Sequence, residues 1–118
     1  YAPAALFATE RWSSNRSAGL VWRFPVAPGR YEVRLYLAEI YAGNFRNGAR
    51  EFDIELEGET VRRGLDVHAL AGARHGIVDR YLVDSDDTLD LVLRHVTENP
   101  ALKAIEILAC HTDCTLEP

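Results

Sequence analysis

The sequence predicts an all-β domain, a β-sandwich or jelly roll. Three observations carry this expectation. Apolar and polar residues alternate with period two in one segment after another, turn-forming residues punctuate the chain about every 8–12 residues, and no segment sustains helical periodicity or βαβ spacing. The chain has 118 residues, 47% hydrophobic and 26% charged, which suits one domain with one core that needs no disulfide scaffold. No apolar run approaches the roughly 20 residues needed to span a bilayer, so no membrane partner is expected. The opening, Tyr1-Ala2-Pro3-Ala4, has neither an initiator methionine nor a signal-peptide pattern, so a mature form or a piece of a longer chain is expected.

Taken in order, Leu20, Trp22, Phe24 and Val26 alternate with Val21, Arg23 and Pro25. After a Pro28-Gly29 turn, Tyr31, Val33, Leu35 and Leu37 alternate with Glu32, Arg34 and Tyr36, and the two runs read as a β-hairpin. Phe52, Ile54 and Leu56 alternate with acids up to the Gly58-Glu59 turn, and Thr60-Val61-Arg62 returns as a second hairpin arm. Val78, Tyr81 and Val83 precede the polar turn Asp84-Ser85-Asp86-Asp87, which leads to the alternating Leu89, Leu91 and Leu93. Leu102 to Leu108 forms a last, more apolar strand, giving about seven or eight strands in all. Residues 65–76 have room for one helical turn but read as a loop crossing one end of the sandwich. The segment Tyr41 to Arg50 is too rich in Gly and Asn for a strand, yet it carries two aromatics, Tyr41 and Phe45.

Charge excludes one class of partner. Basic residues number 13 against 18 acidic, for a net charge of -5, and they are scattered, so nucleic acid is not expected. All of the basic residues are arginine except Lys103. Enzyme signatures are absent: His68, His75, His95 and His111 share no ligand spacing, there is no Gly-x-Ser-x-Gly turn, and no Gly-rich loop opens a helix. We expect no catalytic residues, no cofactor and no metal. Cys110-His111-Thr112-Asp113-Cys114 holds three ligand types in five residues but lacks a second ligand pair. Its cysteines are left as a local disulfide or two free thiols. Asp84, Asp86 and Asp87 have the composition of a calcium loop without its Gly and terminal Glu, and read as a hairpin turn. Glu39, an acid inside the apolar run Leu37 to Ile40, needs a paired cation, for which Arg11 is the expected partner.

Sugar recognition needs aromatic faces for stacking and planar polar groups for paired hydroxyls. Near expected strand ends the chain offers Trp12, Tyr41 and Phe45 for the first role, and Glu98, Asn44 and Asn99 for the second. Each also has a plain reading: Trp12 as a core or rim aromatic, Tyr41 as a strand-end residue packed on the sheet, Glu98 as a solvated turn residue.

The ordered set Thr9-Glu10-Arg11-Trp12, Phe24-Pro25-Val26, Val33 to Tyr41, Gly48 to Ile54 with Arg50, Leu65-Asp66-Val67, Glu98-Asn99-Pro100 and Ala104 to Ile107 resembles the malectin domain. The resemblance implies a β-sandwich of galactose-binding-domain type over residues 1–108, with 109–118 as a C-terminal tail. It also implies a non-catalytic module holding a neutral, glucan-like di- or oligosaccharide. Through it, Trp12, Tyr41 and Glu98 correspond to two site aromatics and the site acid. Two departures stand out: Ala42 replaces the second aromatic of a pair, and Glu98 replaces an aspartate. The family's opening strand has no counterpart before Tyr1, so an exposed strand edge is expected, available to a second copy or a neighbouring domain. Relatives of this kind imply a secreted or surface setting.

Overall fold

The computed structural model describes residues 4–7 and 10–110. After a short 3-10 turn at Ala4–Phe7, the strands are β1 (Arg11–Trp12), β2 (Leu20–Pro25), β3 (Gly29–Leu37), β4 (Glu51–Leu56), β5 (Glu59–Leu65), β6 (Ile77–Ser85), β7 (Thr88–Thr97), β8 (Ala101–Leu102) and β9 (Ala104–Ala109). One five-residue helix, α1 (Val67–Ala71), interrupts them, where the sequence reads as a loop. The Asp66 side chain accepts a hydrogen bond from the Ala69 N–H at 3.1 Å and so caps the helix start.

Two antiparallel sheets stack face to face, one ordered β2-β7-β4-β5 and the other β6-β3-β9, while β1 and β8 pair as a separate two-stranded ribbon. Period-two alternation becomes burial. Leu89, Leu91 and Leu93 of β7, Phe52, Ile54 and Leu56 of β4, and Val33, Leu35 and Leu37 of β3 are all buried in one core. Burial pushes the Tyr81 phenol of β6 well above its ordinary range. Its bond to Asp79 adds to that shift and the charge of Arg62 on β5 opposes it. At the other margin β9 pairs only with β3 among the described residues, and its Ile105 and Ile107 are half-buried.

The β4–β5 hairpin forms as expected. Its two-residue loop places Glu57 (φ 53°) and Gly58 (φ 79°) in the left-handed region, the primed turn that matches strand twist. Glu57 is held there by exchanging bonds with Asp90: its N–H donates to the Asp90 carbonyl at 3.0 Å and its carboxylate accepts the Asp90 N–H at 2.7 Å.

The first expected hairpin is not one. β2 pairs with β7, whereas β3 pairs with β6 and β9, so Pro25 to Pro28 is an arch between sheets. The Asp84–Asp87 turn is likewise an arch, joining β6 in one sheet to β7 in the other. Alternation specifies which face of a strand is buried but not which strand lies beside it, and an arch and a hairpin bury the same residues. The two arches support each other, the Val26 N–H donating to the Asp87 carbonyl at 2.9 Å. The last strand is also broken at Lys103, whose backbone N–H donates to the Tyr36 carbonyl at 2.9 Å. Its side chain, 1% exposed, turns inward to pair with Glu10.

Gly19 is a position where only glycine fits. It sits at φ 69°, and a Cβ there would lie 2.1 Å from the Leu93 carbonyl oxygen of β7. Gly19→Ala is expected to lower stability by more than about 1 kcal/mol, seen as a lower urea midpoint at unchanged m value.

Candidate functional site

Beside the β1–β8 ribbon the surface opens into a cavity of about 360 Å³ lined by Glu10, Trp12, Tyr41, Arg50, Glu98 and Asn99. Each wall has a local cause. Trp12 ends the two-residue strand β1, fixed by the registers Arg11↔Leu102 and Trp12↔Ala101. Tyr41 lies four residues past the end of β3 and immediately before the 3-10 turn Ala42–Asn44, and its N–H donates to the Glu39 carboxylate at 3.2 Å. Its ring lies so close over Gly43 that a Cβ there would meet Tyr41 Cε2 at 2.6 Å, so glycine lets the loop fold beneath the ring. Glu98 and Asn99 form the turn after β7, with Glu98 at φ 61°.

Beneath the cavity lies a buried ion pair. Glu39 is 2% exposed and accepts from Arg50 Nε at 2.8 Å and from a second guanidinium nitrogen at 3.4 Å, while the third nitrogen donates to the Asn99 carbonyl. The partner of Glu39 is therefore Arg50 and not Arg11. Arg11 stands exposed on β1, where it could not neutralise an acid at the core end of β3. Glu10 is in turn engaged by Lys103. The charges cancel in pairs, and Glu98 alone, exposed and bonded to no other described residue, presents an uncompensated carboxylate to the cavity.

Of the six residues named from sequence, Trp12, Tyr41, Glu98 and Asn99 come together on this wall. Asn44 and Phe45 do not line it. Asn44 is 5% exposed, turned inward with its Nδ2 lacking a partner, and its N–H closes the turn onto the Tyr41 carbonyl at 2.8 Å. Phe45 contacts two other groups. The His68 ring lies 6.4 Å from it at 20°, and the Arg74 guanidinium lies 5.2 Å from its centroid. Glu10 and Arg50 are the wall residues that sequence reasoning leaves out. The signal for Arg50 was Glu39 itself, an acid in an apolar run that must find a cation.

Among the described residues, no group of three or more His, Cys, Asp or Glu side chains could hold a metal ion, and no helix is long and apolar enough to cross a membrane. Cys110 is disulfide-bonded, whereas His111, Asp113 and Cys114 of the weighed metal cluster, like Thr9, lie outside the described residues.

Comparison with solved structures finds the same fold in two settings. The chain superposes on a β-glucuronidase of Bacteroides uniformis with TM-score 0.76 and 23% identity, covering 90% of this chain and 12% of that one. It superposes on the extracellular domain of ANXUR2 from Arabidopsis thaliana with TM-score 0.84 and 19% identity, covering 93% of this chain and 34% of that one. For the plant receptor-like kinase FER the values are 0.86 and 23%, again over 93% of this chain and 34% of that one. This chain thus corresponds to 34% or less of each of these three, and the likeness concerns the fold. No curated protein matches it. The sequence itself matches the Malectin domain over residues 1–105, nearly the whole described structure, and the chain belongs to the malectin domain family.

Proposed function

We propose that this domain is a non-catalytic carbohydrate-binding module that takes a neutral, glucan-like di- or oligosaccharide in the cavity between Trp12 and Tyr41. The observation that carries the reading is the pairing of these two rings. Each is 56% exposed, and they are the only aromatics among the exposed large hydrophobic residues described, yet they share one cavity with a free carboxylate and an amide. Exposing two large rings in one cavity is unfavourable in water unless something covers them. A pyranose offers apolar C–H faces for the rings and paired hydroxyls for Glu98 and Asn99. Membership of the malectin family supports a sugar-binding module in general.

The charge arrangement favours a neutral ligand, because Glu98 would repel an anionic sugar. It also disfavours glycoside hydrolysis, which needs two working carboxyls: Glu10 is committed to Lys103, leaving one. A secreted or surface setting suits this role, and the ANXUR2 relative is described as an extracellular domain.

The test is titration of maltose and nigerose followed by tryptophan fluorescence. Dissociation constants of about 1 mM, near −4 kcal/mol, are expected for so open a site. Trp12→Ala should weaken binding at least about tenfold without lowering the unfolding midpoint, since the ring is largely exposed. No response in the parent chain up to tens of millimolar sugar sinks the reading for these ligands.

A second reading has its own support. The β9 edge and its half-buried Ile105 and Ile107 suit pairing with a second copy or a neighbouring domain, and FER has been solved in complex with the peptide RALF23 and with LLG2. Under it, sedimentation shows a stable dimer and glycan arrays stay silent.

A further inference from the structure

The cavity between Trp12 and Tyr41 has a neighbour. A second cavity, about 550 Å³, is lined by Arg11, Ser13, Ala18 and Val21 among others. Trp12 lines both cavities and so is the residue they share.

The loop that supplies Ser13 and Ala18 to the second cavity is hydrogen-bonded within itself and to the sheet. The Ser13 hydroxyl accepts from the Asn15 N–H at 3.1 Å, and Asn15 Oδ1 accepts from the N–H groups of Ser17 and Ala18, each at 3.0 Å. The loop is tied back to the sheet where Arg94 donates to the Ser17 carbonyl at 3.3 Å and where Gly19 packs against the Leu93 carbonyl. Each such bond reduces the freedom the loop would lose when a ligand settles on it. Arg11 is the charged residue lining this cavity. It makes no ion pair with any described residue, whereas Arg23, Arg30, Arg34, Arg50 and Arg94 all do. Its planar fork is therefore available to two neighbouring hydroxyls at once.

We propose that the binding site continues past Trp12 into this second cavity, so that the ligand is an oligosaccharide of three or more sugar units lying across Trp12, with Arg11 as a hydroxyl-binding residue of the second subsite. The proposal rests on the sugar-binding reading of the first cavity. It adds that a disaccharide fills only part of the site.

Calorimetric titration with maltose through maltohexaose, and with the laminari-oligosaccharides of the same lengths, tests it on the whole chain. Affinity is expected to rise about five- to tenfold between two and four units in at least one series and then level off. Arg11→Ala should flatten that rise while leaving disaccharide affinity unchanged. Ala18→Tyr, an exposed position whose new ring would fill the second cavity, should do the same. Equal affinity for two and six units in the parent chain overturns the second subsite and leaves the first cavity as a disaccharide site. A length-dependent rise that survives both substitutions also overturns it. Binding of no member of either series overturns both readings.

Discussion

Arg50→Ala is expected to cost about 3–5 kcal/mol of folding stability, the range found when one partner of a buried ion pair is removed. The size follows from what is left behind. Glu39, 2% exposed, would keep its carboxylate in the core end of β3 with the Tyr41 N–H as its remaining described partner. The Asn99 carbonyl would lose its donor as well. Urea unfolding at constant m value measures the cost, and a loss below about 1 kcal/mol would show that water reaches and solvates Glu39. A paired replacement, Glu39→Met with Arg50→Met, should be much milder than the single change, because both desolvated charges go together. Arg50→Lys is a sharper probe of the cavity. An ammonium cannot reproduce the three-way fork to Glu39 and Asn99, so the Glu98–Asn99 turn should loosen even where the fold survives.

Leu91→Ala should destabilise by about 2–5 kcal/mol, through lost burial and the cavity it leaves. Leu91 is fully buried at the centre of β7, registered between Trp22 of β2 and Leu56 of β4. Both lateral neighbours face the same core, so truncation leaves a gap among packed residues. Its chain neighbour Val92 points to the opposite face, between Val21 and Glu55, and Val92→Thr should change stability by no more than about 0.5 kcal/mol. If the two substitutions cost the same, β7 does not divide an interior from an exterior as its alternation indicates.

How much of this was legible beforehand depends on which property of a residue is local. Facing is local: the alternation around Leu89, Leu91 and Leu93 gives the buried set directly, and the Gly58 turn gives the one true hairpin of the larger sheet. Pairing is not local, which is why the prolines between β2 and β3 mark an arch that period-two reasoning reads as a hairpin. The same distinction governs the site. Trp12, Tyr41, Glu98 and Asn99 could be named by residue type and by resemblance, since each sits at a strand end with the right chemistry. That Glu39 meets Arg50 and that Lys103 turns inward to Glu10 depend on where β3, β4 and β8 end in space, and no spacing along the chain encodes that. Phe45 shows the same non-locality. Composition marks its loop as exposed, and the contacts of its ring with His68 and Arg74 come from residues more than 20 positions along the chain.

The β1–β8 ribbon joins residues 11 and 12 to residues 101 and 102, almost the full span of the described chain. Closing so long a loop is among the entropically costlier steps of folding, and contacts of such separation belong to the slow, all-β end of the range, roughly milliseconds to seconds. Trp12 and the Glu98–Asn99 turn come from opposite ends of the polypeptide and meet only when that loop closes. The cavity is thus complete only in a chain that has closed that loop. Occupancy of the cavity would report that the whole chain, and not merely its core, has reached the native state.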